Sequence, residues 1–360
     1  PEGMPGNTAL ILVSVGGDPA GHDVDGPMRP TPILESLPSV VNVLAGLTAL
    51  GCPIGRTRLM RIDIESEVTA HVDTNRYWWD HLRVHVPIIT DPAVSFWVDD
   101  ESVHMGRGEC WVFDTWSRHR VENPVNAPRI HLVIDTVGGA GLWSLIDRQT
   151  GVRPADTPLP QIGPVESIAF ENVNLAPVMP SAEIDATLGA LLSEYASVDM
   201  ERAIELDRAL VDFRRSWRAT WTHFGTDPAG VPSYQALLAG ADATIDPFDG
   251  KLPNEMGVRE AIRQLVLRVA LSASMLASAG IARPERPGTS AALPNDGTAA
   301  PGLPAVPAAP GGPFRPGQPI GDPITLDRPV FIVSSPRAGS TMLFEALCRA
   351  AEAVSIGGES

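Results

Sequence analysis

Five short segments between residues 58 and 137 alternate apolar with polar residues, and this alternation restricts the fold more than any other feature. A period of two places successive side chains on opposite faces of an extended strand. Gly, Pro and Asp residues lie between the segments, as they do between strands. The segments are RLMRIDI (58–64), LRVHVPII (82–89), VSFWVD (94–99), ECWVFD (109–114) and RIHLVIDTV (129–137), and ALILVS (9–14) has the same character. Several short strands with regular turns predict an antiparallel sandwich or barrel.

Three other stretches have the period of a helix. Residues 33–51 space their apolar residues at helical intervals and end on a glycine, which is typical of a helix C-terminus. Residues 181–225 and 255–280 carry apolar residues at i, i+3, i+4 and i+7, which predicts a helical appendage after the β domain. We expect Trp217 and Trp221, four residues apart, to pack in the core of this appendage.

The composition limits the class of partner. With 44% hydrophobic residues, the 360-residue chain has enough apolar surface for a core. Its formal net charge of −16 opposes binding to nucleic acid or to an anionic membrane, so a small molecule or a peptide is the expected substrate. The three cysteines are widely scattered, which favours a reducing cytoplasm over a disulfide framework. No apolar run reaches the roughly 18 to 20 residues of a membrane span.

The composition also changes along the chain. Residues 283–325 are rich in Pro, Gly and Ala and are expected to form an extended linker. We therefore divide the chain into a β domain (1–160), a helical appendage (161–282), this linker and the beginning of a further domain (326–360). Because the chain begins without an initiator Met and stops soon after that domain starts, we expect it to be a piece of a longer protein.

A pair of candidate metal ligands precedes the second of the five segments. His71 and Asp73 are two residues apart, so on an extended segment they project to the same side. Two histidines and one carboxylate form the facial triad of non-haem Fe(II) oxygenases, which leaves metal positions open. The third ligand would come from another strand, and His119, after the turn DTWS, is the best candidate. The competitors are His104, in an acidic turn, and His131, which alternates within an apolar strand.

A cation follows the proposed third ligand. Arg129 lies ten positions after His119. An iron site that uses a keto acid needs a cation for the distal carboxylate, and the arginine fork can form two parallel hydrogen bonds with it. The combination therefore favours an oxygenase over a structural metal site.

These stretches resemble a known family. HVDTN, LRVHVPI, VHMGRGECWVFDTWSRHRVENP and PRIHLVIDT, within residues 56–137, are similar to the aspartyl/asparaginyl β-hydroxylase family of Fe(II)/2-oxoglutarate oxygenases, and especially to the bacterial cis-proline hydroxylases. The resemblance implies a mainly β protein with a double-stranded β-helix, also called a jelly roll or cupin-like fold. It also implies that His71, Asp73 and His119 bind iron.

The same resemblance implies an activity and further site residues. Arg129 and His85 would bind 2-oxoglutarate, and Arg83 would reach the co-substrate or the acidic end of the substrate. The implied enzyme is a dioxygenase that uses Fe(II), 2-oxoglutarate and O2 to hydroxylate a C–H bond of an amino acid or of an Asp, Asn or Pro residue in a peptide.

A second resemblance concerns residues 330–341, VFIVSSPRAGST. An apolar strand, a turn of small residues and a helix starting near Ser340 can bind an anion at the helix N-terminus. The spacing differs from that of a Walker A loop. SPRAGST instead resembles the 5′-phosphosulfate loop of sulfotransferases that use 3′-phosphoadenosine 5′-phosphosulfate (PAPS), which implies a truncated P-loop-like α/β domain with Arg337, Gly339, Ser340 and Thr341 in the loop. The first domain would then install a hydroxyl group that the second sulfates.

Two other functions compete with the oxygenase. One is a cupin-like, non-catalytic module that binds a ligand, and the other is a metal-dependent hydrolase on the same three ligands. The hydrolase would leave Arg129 without a role, and so would a module whose metal is structural. For the helical appendage we expect either a substrate lid or a homodimer interface.

Overall fold

Two β-sheets face each other and enclose the candidate ligands. The computed structural model describes residues 6–149, 152–154, 156, 165–281 and 330–333. The strands are β1 (Asn7–Val15), β2 (Met28–Pro30), β3 (Thr57–Ile62), β4 (Ser66–His71), β5 (Leu82–Ile89), β6 (Ser95–Val98), β7 (Glu101–Val103), β8 (Cys110–Phe113), β9 (His119–Asn123), β10 (Arg129–Thr136) and β11 (Val330–Val333). The helices are α1 (Pro38–Ala49), α2 (Arg76–Trp79), α3 (Ala140–Gln149), α4 (Ser181–Val198), α5 (Met200–Phe224), α6 (Val231–Ile245), α7 (Val258–Ile262) and α8 (Ala273–Ser278).

Apart from the parallel pair of β11 with β8, neighbouring strands of both sheets run antiparallel, as the alternation predicts. The larger has the strand order β11-β8-β5-β10-β3-β1-β2, and the smaller has the order β4-β9-β6-β7. Their inner faces share one apolar cluster, to which the small sheet contributes Phe96 and Val121 and the large sheet Ile62 and Phe113. Two antiparallel sheets packed in this way form the expected jelly-roll domain.

The outer face of the large sheet is covered by helices. Leu44 of α1 and Leu142 of α3 are buried against Val112 and Leu132 of the sheet. Helix α1 begins with a proline in its first turn and is followed by Gly51, whose φ of +82° suits a glycine after a helix end. The sequence predicted this helix and its glycine but not α3.

Helices α4 to α8 form a separate helical core, here called the helical unit. Trp217 is fully buried in this core, as predicted, and its indole N–H donates to the backbone oxygen of Met179 at 3.0 Å. The helical period predicted over 181–225 is divided between α4 and α5 at Asp199, whose side chain accepts a hydrogen bond from the backbone N–H of Arg202 and caps α5. Helix α7 continues into a π-helical turn, Arg263–Leu267.

The segment before α4 lies against the β domain. The backbone N–H of Glu171 donates to the oxygen of Ile54 at 3.0 Å. The carboxylate of Glu171 accepts from Nε2 of His81 at 2.8 Å, and the other ring nitrogen of His81 faces the backbone oxygen of Tyr77. Both nitrogens therefore face acceptors, which suits the protonated imidazolium.

The features predicted for the C-terminal part fall largely outside the described residues. Strand β11 lies parallel to β8 at the edge of the large sheet. The linker 283–325 and the loop residues Arg337, Gly339, Ser340 and Thr341 are not among the described residues. Within the part of the chain that the structure describes, every helix is too short or too polar to cross a membrane.

We predict that the His81–Glu171 pair makes a pH-dependent contribution to stability. Burial opposes protonation of His81, but the hydrogen bond and charge of Glu171 outweigh it and raise the pKa of His81. A raised pKa in the folded state gives a contribution that is complete below the unfolded value of about 6.5 and is lost as pH rises through the folded value. His81→Gln should therefore reduce the free energy of unfolding by about 1 to 3 kcal/mol at pH 6 and by less at pH 9. Urea unfolding of both proteins measures this, and an equal loss at both pH values would contradict it.

Candidate metal centre

Strand pairing brings the three predicted ligands together. His71, the last residue of β4, lies directly opposite His119, the first residue of β9. Asp73 follows two residues after His71, and its Oδ1 lies 4.0 Å from Nε2 of His71. One ligand atom from each of the three side chains lies within 4.8 Å of the other two. This spacing suits a single metal ion between them.

Backbone carbonyls orient both imidazole rings. Nδ1 of His71 donates to the oxygen of Thr69 at 2.8 Å, and Nδ1 of His119 donates to the oxygen of Ser117 at 2.9 Å. Each ring therefore has Nε2 available for a metal, since the bonded nitrogen determines which nitrogen carries the proton. Nε2 of His71 is buried and has no hydrogen-bond partner among the described residues. A metal ion would provide the missing partner, so the donor set fits one.

An arginine holds the carboxylate ligand in its ionised form. The guanidinium of Arg83 donates to Oδ2 of Asp73 and, through Nε, to Asp135 at 2.9 Å. Burial opposes ionisation of Asp73, but the charge of Arg83, with smaller contributions from the two histidines, outweighs it and lowers the pKa of Asp73. Asp135 is fully buried and also accepts from the indole N–H of Trp78 at 3.1 Å. Arg83 is therefore already bound to two carboxylates, and its role with substrate stays a prediction.

The two histidine ligands are neutral at physiological pH. Burial lowers the pKa of His119 to about 4, and the neighbouring His71 contributes in the same direction. Burial also lowers the pKa of His71. Neutral imidazole is the form that binds a metal.

The ligands open onto a cavity of about 400 Å³ between the two sheets. Its lining combines the triad with arginines, aromatic rings and aliphatic side chains. The lining residues are Asn7, Arg56, Arg58, Met60, Ile62, Val68, His71, Val72, Asp73, Thr74, Trp78, Arg83, His85, Phe96, Phe113, His119, Val121, Arg129 and Val133. The cavity thus includes every residue that the sequence assigned to iron, 2-oxoglutarate or substrate in the β domain.

Arg129 is a buried cation with no carboxylate of the described residues beside it. It is 3% exposed, and among the described residues its one polar contact is from NH2 to Nδ1 of His131 at 2.6 Å. Its Nε has no hydrogen-bond partner in that part of the chain. Burial without a compensating anion lowers the pKa of Arg129 to about 9. Because a buried cation without a counter-ion is costly, the position suits an anionic ligand.

His85 lies beside Arg129 and the aromatic lining. Its ring contacts those of Phe96 and Phe113, with centroids 5.7 and 5.2 Å away. Burial, together with the charge of Arg129, keeps its pKa well below the ordinary value, so the ring is neutral. Nε2 of His85 is buried and has no partner among the described residues. His85 therefore offers one more polar atom to a ligand in the cavity.

The two histidines that competed for the third ligand position lie elsewhere. Nδ1 of His104 donates to the oxygen of Val94 at 3.1 Å, and His104 does not line the cavity. His131 is buried behind Arg129.

The sequence reasoning did not assign four polar residues of the cavity region. Arg56 directly precedes β3, and Arg58 is the second residue of that strand. Both arginines are buried and line the cavity. Asn7 of β1 also lines it, and its side-chain amide has no hydrogen-bond partner among the described residues. Asp135 carries a charge within the otherwise apolar strand β10. That charge in an apolar segment is a signal that the sequence contained.

Two comparisons match the β region to hydroxylases. Residues 25–138 match the model of the Aspartyl/Asparaginyl beta-hydroxylase family. The L-proline cis-4-hydroxylase of Rhizobium meliloti (strain 1021) is 29% identical over 112 residues, which cover 31% of this chain and 39% of that protein. The chain thus spans less than half the length of this curated relative. Both findings support the hydroxylase family for the β region.

Solved structures share a partial likeness with the chain. A cupin domain from Bordetella pertussis Tohama I is 20% identical, covers 22% of this chain and 79% of its own, and has a TM-score of 0.19. A double-stranded beta-helix protein from Klebsiella pneumoniae is 15% identical, covers 24% of this chain and 70% of its own, and has a TM-score of 0.20. Each likeness covers less than a quarter of the chain.

We predict that removing His119 abolishes tight metal binding. His119→Ala deletes one of three ligands, so the affinity for Co(II), a spectroscopic probe for Fe(II), should fall by more than about 100-fold. His104→Ala is the matched control, because His104 is also a β-domain histidine but lies outside the cavity. Titration with Co(II), followed by visible absorption, measures both affinities. Equal affinities in the two variants would contradict the assignment of His119.

Proposed function

We propose that the protein is an Fe(II)- and 2-oxoglutarate-dependent dioxygenase that hydroxylates a C–H bond of a small amino acid. One observation carries the proposal: an open site with two histidines and one aspartate shares a cavity with a buried arginine that pairs with no carboxylate of the described residues. The match of residues 25–138 to a hydroxylase family supports the same class of reaction. A structural metal site would need neither the open positions nor the arginine.

The polar groups of the cavity suggest how the co-substrate is held. Arg129 would form the bidentate pair with the distal carboxylate of 2-oxoglutarate, because its fork is unpaired by any carboxylate of the described residues. His85, neutral and beside Arg129, would donate or accept one further hydrogen bond through Nε2. His71, Asp73 and His119 would hold the iron.

The remaining lining suggests the class of substrate. A cavity of about 400 Å³ accommodates a small molecule more readily than a folded peptide segment. Arg56 and Arg58 supply positive charge, and Asn7 supplies an amide, for a carboxylate or a polar group. A curated relative is an L-proline cis-4-hydroxylase, so we propose a free amino acid resembling proline, with a peptide as the alternative.

The chemistry and the protein's part in it can be separated. When bound, ferrous iron, 2-oxoglutarate and O2 would supply the oxidation, in which 2-oxoglutarate loses CO2 to become succinate and one oxygen atom enters the substrate C–H bond. Arg83 holds Asp73 ionised and in position. Phe96 and Phe113 form apolar walls that exclude water from the reacting groups.

For residues 326–360 we propose the beginning of a PAPS-dependent sulfotransferase domain, in which Arg337, Gly339, Ser340 and Thr341 bind the 5′-phosphosulfate. Support comes from the sequence SPRAGST alone. We expect a longer protein that contains the complete domain to bind 3′-phosphoadenosine 5′-phosphate, and Arg337→Ala to weaken that binding by about tenfold. Equilibrium dialysis measures it, and undetectable binding to the unmutated protein would oppose the proposal.

The oxygenase proposal predicts two opposite effects of Arg129→Met. Removing an uncompensated buried charge should leave the free energy of unfolding of the free protein unchanged or raise it by about 1 kcal/mol. The Kd for 2-oxoglutarate should rise on the order of 100-fold, since a buried charge pair is lost. Thermal unfolding and anaerobic titration of the Fe(II) protein measure the two effects.

The same experiment includes a turnover assay and a control. The unmutated protein, with Fe(II), ascorbate, 2-oxoglutarate and a panel of amino acids, should release succinate and give a product heavier by one oxygen atom. Arg61→Met, which changes a half-exposed arginine of β3, should behave like the unmutated protein. Metal binding without succinate release from any substrate would instead favour a non-catalytic cupin-like module.

A further inference from the structure

We infer that the helical unit fixes the geometry of the metal centre. In this inference Trp116 and its partner Glu194 are positioning residues for the ligands. The inference rests on the proposed function, because it concerns the same three ligands. It assigns the helical unit a role other than that of a lid or a dimer interface.

A single turn between β8 and β9 contacts two of the three ligands. The turn Asp114–Ser117 connects β8 to β9. The oxygen of Thr115 accepts from the backbone N–H of Asp73 at 3.0 Å. The oxygen of Ser117 accepts from Nδ1 of His119 at 2.9 Å. The position of this turn therefore determines where one ligand backbone lies and how one ligand ring is rotated.

The residue between these two carbonyls, Trp116, belongs to the helical core. Trp116 is 3% exposed and is buried together with the apolar residues of α4 and α5. Its indole N–H donates to Oε2 of Glu194 in α4 at 3.0 Å, and its backbone oxygen accepts from Nδ2 of Asn254 at 2.9 Å. The helical unit thus holds the turn through its side chain and through its backbone.

The other ligand strand has a matching contact. Val72, between His71 and Asp73, packs against the same helical core. Three residues after Asp73, Arg76 of α2 pairs with Glu183 of α4 at 3.1 Å. Trp79 of α2 meets Trp116 edge to face, with ring centroids 5.0 Å apart. The two loops that carry ligands are therefore seated on one rigid helical surface and against each other.

Strand pairing and the helical unit therefore make different contributions to the ligand geometry. Strand pairing between β4 and β9 brings the ligands into the same region, but a jelly-roll rim leaves its loops free to adjust. A metal site needs ligand atoms placed within a few tenths of an ångström. The helical unit supplies that restraint through Trp116, which has no contact with the metal position itself.

The test compares two tryptophans of the same helical core. Trp116→Phe keeps an aromatic ring but removes the bond to Glu194, and Trp217→Phe removes the buried bond to Met179, away from the cavity. We expect Trp116→Phe to raise the Kd for Co(II) about tenfold and to shift the visible absorption bands, which report ligand geometry. Trp217→Phe should leave the Kd and the absorption bands unchanged. Both substitutions should lower the melting temperature by a similar amount.

A second pair of variants acts on the partner and guards against misfolding. Glu194→Gln keeps an acceptor for the indole and should match the unmutated protein, whereas Glu194→Leu should reproduce the effect of Trp116→Phe. Unchanged Co(II) affinity and bands in folded Trp116→Phe, or in Glu194→Leu if Trp116→Phe does not fold, would overturn the inference. If the unmutated protein does not bind Co(II), the proposed function fails instead, so the two failures are distinguishable.

Discussion

The antiparallel pairing of β4 with β9 is the interaction on which the rest of the site depends. Its register places His71 opposite His119, although the two are distant in sequence. Because side chains alternate along a strand, a slip of one residue would turn one of the rings away from the cavity. Within the jelly roll, the candidate chemistry therefore depends most on the register of the small sheet.

Buried charge explains the arrangement behind the ligands. Arg83 lies between Asp73 and Asp135, so these three groups together keep one negative charge before any ion binds. Arg129, by contrast, has no carboxylate partner among the described residues. The cavity thus has one end prepared for a cation and another prepared for an anion, which is the polarity that a metal and a dicarboxylate together require.

Much of the fold was predictable, but the strands that carry ligands were not. The five predicted β-segments correspond to β3, β5, β6, β8 and β10, whose apolar alternation reflects burial between layers. Strands β4 and β9 were missed because they are short and rich in polar residues. Helices α6 and α3 were also missed, because their apolar residues follow the helical period weakly or over only a short stretch. The ligand residues were nevertheless proposed, because their chemical types and spacing are independent of the strand boundaries.

The sequence by itself determined the β class of the first domain, the helical period after residue 181 and the identity of the candidate ligands, since these depend on local periodicity and residue chemistry. Tertiary structure alone decided that Arg83 holds Asp73, that Arg129 lacks a counter-ion, and that the helical unit reaches the metal loops through Trp116. These facts depend on contacts between residues far apart in the chain, and on the removal of water from them. Local patterns contain neither kind of information.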